Sequence, residues 1–354
     1  HLDEIIETGP MLRKPPNLIY GVEDRPPLPV LLMLGVQHII LMSSTLVLPV
    51  VLVSEIGGSP GEVRAVVGWT MIACGIGTVV QAMRWRGIGS GYLCPNLCGP
   101  NFFAVCLTAA WLGGLPLMRG MTIAAGIVEA LFSRVIHKVE FLFPTEITGL
   151  VVFMVAVGLI PLGASKFLGI NFEGEPILSM NLLVAAITLA VMVGSNIWGR
   201  GRLRLYGVLI GMVLGYMLSV AMGLISRTQF RDLAEVSWIA FPALEQPWTF
   251  SFRWSLLPAF VIVSICGALK TFGNLILCEK VNDAQWTRPE IKRIGDGLMA
   301  DSICVTMSGL LGGMASDSSA SNVSLSSVTG ATSRRIAYVA GALFIALGFS
   351  PKLG

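Results

Sequence analysis

The sequence predicts an all-α, polytopic membrane protein, and three observations carry the prediction. Of 354 residues 54% are hydrophobic and 13% charged, against roughly 25% charged in an ordinary soluble domain, and the mean hydropathy is +0.76. Apolar stretches of bilayer length recur along the chain, a hydrocarbon core of about 30 Å needing about 20 residues per helix. Forty glycines lie in this apolar background, as close helix packing and broken helices in a bilayer require. A soluble chain of this size divides into domains of about 100–200 residues joined by polar linkers. No long polar linker interrupts this one.

Residues 1–27 are polar and proline-rich, without the basic stub and short apolar core of a signal peptide, and read as a cytoplasmic N-terminal segment. Spans are predicted at 28–53, 63–83, 91–112 and 119–137, then at 147–165, 181–198 and 204–225. Four more follow at 254–278, 297–315, 317–333 and 335–350, eleven in all. With the N-terminus inside, sixteen Lys and Arg side chains fall in inside loops, Arg84, Arg86, Arg134, Lys292 and Arg293 among them. Six fall outside, namely Arg64, Arg119, Lys166, Arg227, Arg231 and Arg253. That asymmetry follows the positive-inside rule and predicts a multi-pass protein of the cell (inner or plasma) membrane. Segment 226–253, with Trp238 and Trp248 and with Trp254 at its edge, reads as an external interfacial loop.

Charge and motif content exclude other classes. A net charge of +3 in scattered clusters does not suit a nucleic-acid partner. Seven cysteines without CxxC spacing read as reduced, packed thiols. Three histidines without HExxH or similar spacing provide neither a metal site nor a nucleophile–base pair, so neither enzyme chemistry nor a bound cofactor is expected.

Two segments cannot be continuous helices. Ser90 to Phe103 holds Gly91, Pro95, Gly99 and Pro100, and Met314 to Ser324 is a run of serines around Asp317. Irregular backbone survives at membrane depth only when buried in protein or lining a cavity, and paired interruptions in two halves of a chain point to a transporter's binding site. The breaks lie about 226 residues apart, an offset that also carries span 28–53 onto 254–278. Seven spans separate the two starts, so the second copy is inverted. A complete second half needs about three spans beyond Gly354, and the expectation is a chain lacking spans 12–14.

These residues resemble the nucleobase/ascorbate transporters, or uracil–xanthine permeases. Gln37-His38 resembles the family's QH pair, Gly99-Pro100-Asn101-Phe102 its GPSF segment, and Phe143 to Gly149 its FPxxxTG entry to span five. Arg204 to Gly211 resembles the start of span seven, Asp296-Gly297 the DG that opens span nine, and Ser321 to Gly330 the signature motif (Q/E/P)-N-x-G-x-x-x-x-T-(R/K/G). The resemblance implies a 7+7 inverted-repeat fold of fourteen spans with short strands in the broken spans 3 and 10. On that plan 28–137 and 254–350 form the core domain, 147–225 is part of the gate domain, and about eleven of fourteen spans are present. It also implies secondary active transport by an elevator-type motion, homodimers, and H+ or Na+ as coupling ion.

The substrate-binding positions depart from the family's. Where typical members carry a span-eight glutamate that accepts hydrogen bonds from a nucleobase, this chain has Lys270, and the second acceptor position is Ser321. An intramembrane lysine is a functional hypothesis by default. Two roles are open for Lys270: binding an anionic solute, or pairing with Asp317 as a fixed counter-ion. Asn274, one helical turn on from Lys270, shares its face. Phe102 is placed to stack on a planar ligand, and Asn322 joins the substrate-binding set. Gln37, His38 and Thr329 are expected to support the site, and Glu129 is a further buried acid. The expected function is carriage of a nucleobase-like or small anionic organic solute (xanthine, uracil, urate, ascorbate class). The alternative is an inorganic anion or carboxylate carrier of the related sulfate/bicarbonate type.

Overall fold

Helix starts and stops in the chain follow local chemistry. In the computed structural model, which describes residues 14–16, 18–139, 150, 153–154, 157, 160–161, 163–164, 167–168, 179–200, 207–224, 238–242, 248–350 and 352, α1 (Leu28–Ser43) starts behind Pro27. It stops at a Ser44–Leu46 turn before α2 (Val47–Glu55), so the predicted span 28–53 is broken in its second half. The serine hydroxyls there bond backward, Ser43 to the Ile39 carbonyl and Ser44 to that of Leu41, the local competition with the helix ladder that such residues offer. Then α3 (Pro60–Ala82) opens with a capping box, Ser59 accepting from the Glu62 amide while the Glu62 carboxylate accepts from the Ser59 amide.

Two clusters of glycine and proline set the next elements. Strand β1 (Asn96–Cys98) and a 3₁₀ turn (Pro100–Phe102) occupy the first broken segment, followed by α4 (Phe103–Val139). A continuous 37-residue helix would run about 55 Å, nearly twice the hydrocarbon thickness. It is interrupted at Gly113–Gly114, where Gly114 takes φ +68°, a backbone region that glycine enters freely. Pro116 then sits in the first turn of the second rod, where a missing N–H costs little. Arg119 therefore lies inside that rod, fully buried, and is not the outside-loop residue that charge counting expects.

The remaining helices are α5 (Ser179–Ile197), α6 (Gly207–Ala221), α7 (Leu257–Asn282) and α8 (Ile291–Leu311). After α8 come β2 (Ser316–Ser318), α9 (Ala320–Thr329) and α10 (Arg334–Gly348). Among the described residues six stretches are long and apolar enough to cross a bilayer: Leu28–Glu55, Pro60–Ala82, Pro100–Ile136, Met180–Ile197, Trp254–Asn282 and Ile291–Leu311. Most of the predicted span 147–165, all of the Phe143–Gly149 motif and most of 226–253 lie outside the described residues.

The chain forms two compact units, His1–Val152 with Ile239–Gly354, and Phe153–Trp238. In the second, α5 packs on α6. In the first, α4 packs on α8 and α3 on α10. Glycines permit the second crossing: a Cβ on Gly75 would lie 2.7 Å from the Gly341 carbonyl oxygen, and one on Gly341 would lie 2.6 Å from that of Gly75. All seven cysteines are free, and six are buried.

An N-terminal strap closes this unit at one end. Tyr20 pairs with Ala331, and the Ser333 hydroxyl donates to the Asp24 carbonyl. The Lys14 ammonium, 2.5 Å from Asp24, and the Gly21 amide hold the Asp24 carboxyl below the usual carboxylate range.

Candidate functional site

The two broken segments meet as a two-stranded antiparallel ribbon, with Asn96 opposite Ser318, Leu97 opposite Asp317 and Cys98 opposite Ser316. A ribbon this short leaves backbone amides that hydrocarbon cannot satisfy. Threonines of α3 supply acceptors: the Asn96 amide donates to Thr78 Oγ1 at 3.0 Å and the Met314 amide to Thr70 Oγ1 at 2.9 Å. Beyond the strands, the Gly99 amide donates to the Ala315 carbonyl and the Ser319 amide to that of Pro95, each at 2.9 Å. Gly99 is required by the close approach, because a Cβ there would stand 3.0 Å from the Asp317 Cβ.

Against this ribbon α7 lays one polar stripe in an otherwise apolar helix. Lys270 Nζ is 2.6 Å from Asp317 Oδ2. The Asn101 amide donates to the same oxygen at 2.6 Å, and the Ser318 backbone amide donates to Oδ1 at 2.8 Å. Thr271 donates to Asp301 Oδ2 at 2.5 Å and shares a 2.8 Å hydrogen bond with the Ser318 hydroxyl. Asn274 donates to that hydroxyl at 2.8 Å. Asn96 donates to the other Asp301 oxygen at 2.5 Å, so α8 is tied to β1 and α7 through a single carboxylate. The Asp317 side chain is wholly buried while that of Lys270 is 15% exposed. Of the two, the ammonium is the member open to its surroundings, with the carboxylate behind it.

The sequence-predicted residues separate into groups. Lys270, Asn274 and Asp317 come together. Asn322 and His38 form a second linked pair, Nδ1 to Oδ1 2.7 Å, and Asn322 also donates to the Ser319 hydroxyl that caps α9. Phe102 is completely buried, its ring beside Gly99 and Gly267, so it forms the wall of the cluster. Ser321 is exposed on the first turn of α9. Thr329 bonds within its own helix to the Leu325 carbonyl. Gln37 is half-buried with its side-chain oxygen unpartnered.

Asp301, Thr271, Asn96 and Asn101 join the candidate cluster although the sequence does not single them out as ligands. The signal for Asp301 was present, since an acid inside an apolar span marks function by default. The motif-like acid of α8 is Asp296, about 7.5 Å earlier along the helix, whose backbone carbonyl accepts from the Gly89 amide. Glu129 of α4 is buried with both carboxyl oxygens unpartnered, and a Cβ on Gly267 would stand 3.1 Å from one of them. It therefore lies beside α7 one turn before Lys270. Among the described residues no group of three or more His, Cys, Asp or Glu could hold a metal ion.

Comparison with known proteins adds the following. Residues 30–354 match the model of the xanthine/uracil permeases, described as a permease family. A putative purine permease of Clostridium perfringens is 29% identical over 343 residues, covering 95% of this chain and 73% of that protein. The xanthine permease XanP of Escherichia coli is 27% identical over 354 residues, covering 95% and 75%. The uric acid permease PucJ of Bacillus subtilis is 26% identical over 332 residues, covering 90% and 71%. In structure, the transmembrane domain of the cyanobacterial bicarbonate transporter BicA is similar with TM-score 0.61 at 14% identity, covering 94% of this chain and 88% of that one. That likeness concerns the fold.

Proposed function

The chain belongs to the xanthine/uracil permease family, which makes it a multi-pass membrane transporter and not an enzyme, and from that premise we propose that it carries a purine-type nucleobase, xanthine or urate, bound at the Lys270–Asp317 pair. The supporting observation is the geometry of the pair: a partly exposed ammonium bonded to a buried carboxylate. Such a pair offers a donor to a purine oxo group or a urate anion, while Asn274 is held at the same face by Ser318. Within this reading the fold is the fourteen-span inverted repeat. Segments 28–137 and 254–350 act as core and 147–225 as part of the gate, with an elevator motion, the N-terminus in the cytoplasm and a homodimeric assembly. One observation favours the second reading, an inorganic anion or carboxylate carrier: the family's acceptor position holds a cation. Thermal stabilisation of the purified full-length protein discriminates the two. Xanthine or urate is expected to stabilise it and bicarbonate or acetate to leave it unchanged; the opposite pattern overturns the proposal.

Coupling to H+ or Na+ runs, on this reading, through the buried acids. Asp317 and Asp301 are hydrogen-bonded by neighbours, whereas Glu129 has no hydrogen-bond partner. Glu129 is thus the acid that a proton fits without breaking an existing contact. Glu129→Gln is expected to keep solute binding and lose the dependence of uptake on a pH gradient. Asp317→Asn is expected to lose binding itself. Uptake by Glu129→Gln that still follows the pH gradient removes Glu129 from the coupling.

A further inference from the structure

A second polar site lies at the end of the first unit, around the residues that join α3 to the broken segment. Trp85 and Ile88 exchange backbone hydrogen bonds at 3.0 Å in both directions, closing a two-residue hairpin over Arg86 (φ 48°) and Gly87 (φ 82°). Positive φ at both central positions is the turn whose twist matches paired strands, and Arg86 is the non-glycine residue that accepts it. The hairpin is fixed to α8 by the Gly89 amide, which donates to the Asp296 carbonyl at 2.8 Å. Gly89 has no room for a side chain, because a Cβ would lie 2.0 Å from the Met83 carbonyl oxygen.

This rigid hairpin and α8 enclose a cavity of about 380 Å³ lined by Arg84, Arg86, Lys292 and Asp296 together with Trp85 and the hairpin backbone. Arg134 of α4 reaches its edge, with a guanidinium nitrogen 3.9 Å from where a Cβ of Gly87 would be. The neighbouring Arg293 is occupied, donating to the Ser90 carbonyl at 2.7 Å and stacked 3.7 Å over Tyr92. Four cations thus face one carboxylate, and no ion pair holds Arg84, Arg86 or Arg134 among the described residues. Trp85 and Met83 are exposed beside them, at 55% and 38%. A basic cavity edged by exposed apolar side chains where a membrane helix ends has the make-up of a headgroup site.

We propose that this cavity binds the phosphate of an anionic phospholipid, with the guanidiniums of Arg86 and Arg134 on the phosphate oxygens and Trp85 and Met83 against the glycerol and upper acyl chain. The proposal is independent of the transported solute and takes from the preceding reading only that this face lies at the cytoplasmic boundary. Arg86 and Arg134 are exposed, so their replacement leaves the packed interior intact.

Titration of the purified full-length protein in neutral detergent, followed by thermal unfolding, tests the assignment. Phosphatidylglycerol is expected to raise the unfolding temperature saturably, and phosphatidylcholine and millimolar inorganic phosphate are expected not to. In Arg86→Gln/Arg134→Gln the half-saturating concentration is expected to rise about thirtyfold, which is about 2 kcal/mol at about 1 kcal/mol per basic residue. Arg86→Lys/Arg134→Lys is expected to retain most of the effect. Equal stabilisation by phosphatidylcholine, or an unchanged midpoint in the glutamine variant, overturns the proposal. Stabilisation by inorganic phosphate alone reassigns the cavity to a soluble phosphate and overturns the lipid.

Discussion

Replacing Lys270 by glutamate is expected to abolish solute binding and to destabilise the protein by about 3–5 kcal/mol, the range for breaking a buried ion pair. The loss has two sources. The Asp317 carboxylate, 0% exposed, loses the ammonium 2.6 Å away, and a second carboxylate is forced beside it, on the helix whose Thr271 already holds Asp301. Stability and binding separate in the neutral double variant Lys270→Gln/Asp317→Asn. Removing both charges of a buried pair is often close to neutral for stability, so its unfolding temperature is expected near that of the parent. Binding of xanthine or urate is expected to stay lost, because the ammonium proposed to hold the solute is gone. If the double variant binds with parental affinity, the pair holds α7 to the ribbon and nothing more.

The second large effect is expected at the crossing of α3 and α10. Gly75→Val places side-chain carbons where the Gly341 carbonyl oxygen stands, with Ile345 Cγ1 at 2.6 Å and the Ile345 backbone nitrogen at 3.0 Å from the first of them. Two of those three obstacles are backbone, which relaxes only by moving a whole helix. The expected cost is about 3 kcal/mol, the upper end of ordinary overpacking, read as a lowered unfolding temperature in detergent. Gly194→Ala in α5 is the contrasting control. Its Cβ meets only the Trp198 ring, at 3.4 Å, and the gain in helix propensity is expected to leave stability unchanged or slightly raised. A parental unfolding temperature for Gly75→Val would show that the two helices are free to separate.

Legibility in the sequence followed the strength of the local signal. Pro95, Gly99 and Pro100, and the serines around Asp317, announce broken backbone because prolines remove amides and serines compete for them. The ribbon they form was accessible only through the family resemblance. Lys270 and Asp317 stood out because charges in apolar stretches are costly. Asp301 is equally costly, but the family motif in α8 marks Asp296-Gly297, five residues earlier, and nothing local marks Asp301. The Gly113–Gly114 break and the burial of Arg119 were hidden for another reason. Where a rod begins depends on the φ of Gly114 and the placement of Pro116, and hydropathy averages over both. The basic hairpin reads in sequence only as loop charge that sets orientation, since nothing in a sequence shows that Arg134 comes to the edge of the cavity that Arg86 lines.

The ribbon also has a consequence for the order in which the chain acquires its structure. Asn101 and Asp317 are 216 residues apart in sequence, so the polar edge of β1 enters the membrane during synthesis long before β2 exists to pair with it. Closing so long a loop is slow and entropically costly. Until β2 arrives, Thr78 of α3 satisfies one amide of β1, and the rest of its edge is open. The Lys270–Asp317 centre therefore cannot form until β2 has been made. A nascent chain halted before Ser316 presents unpaired strand and unpaired Lys270 together, two features that membrane quality control can recognise as incompleteness.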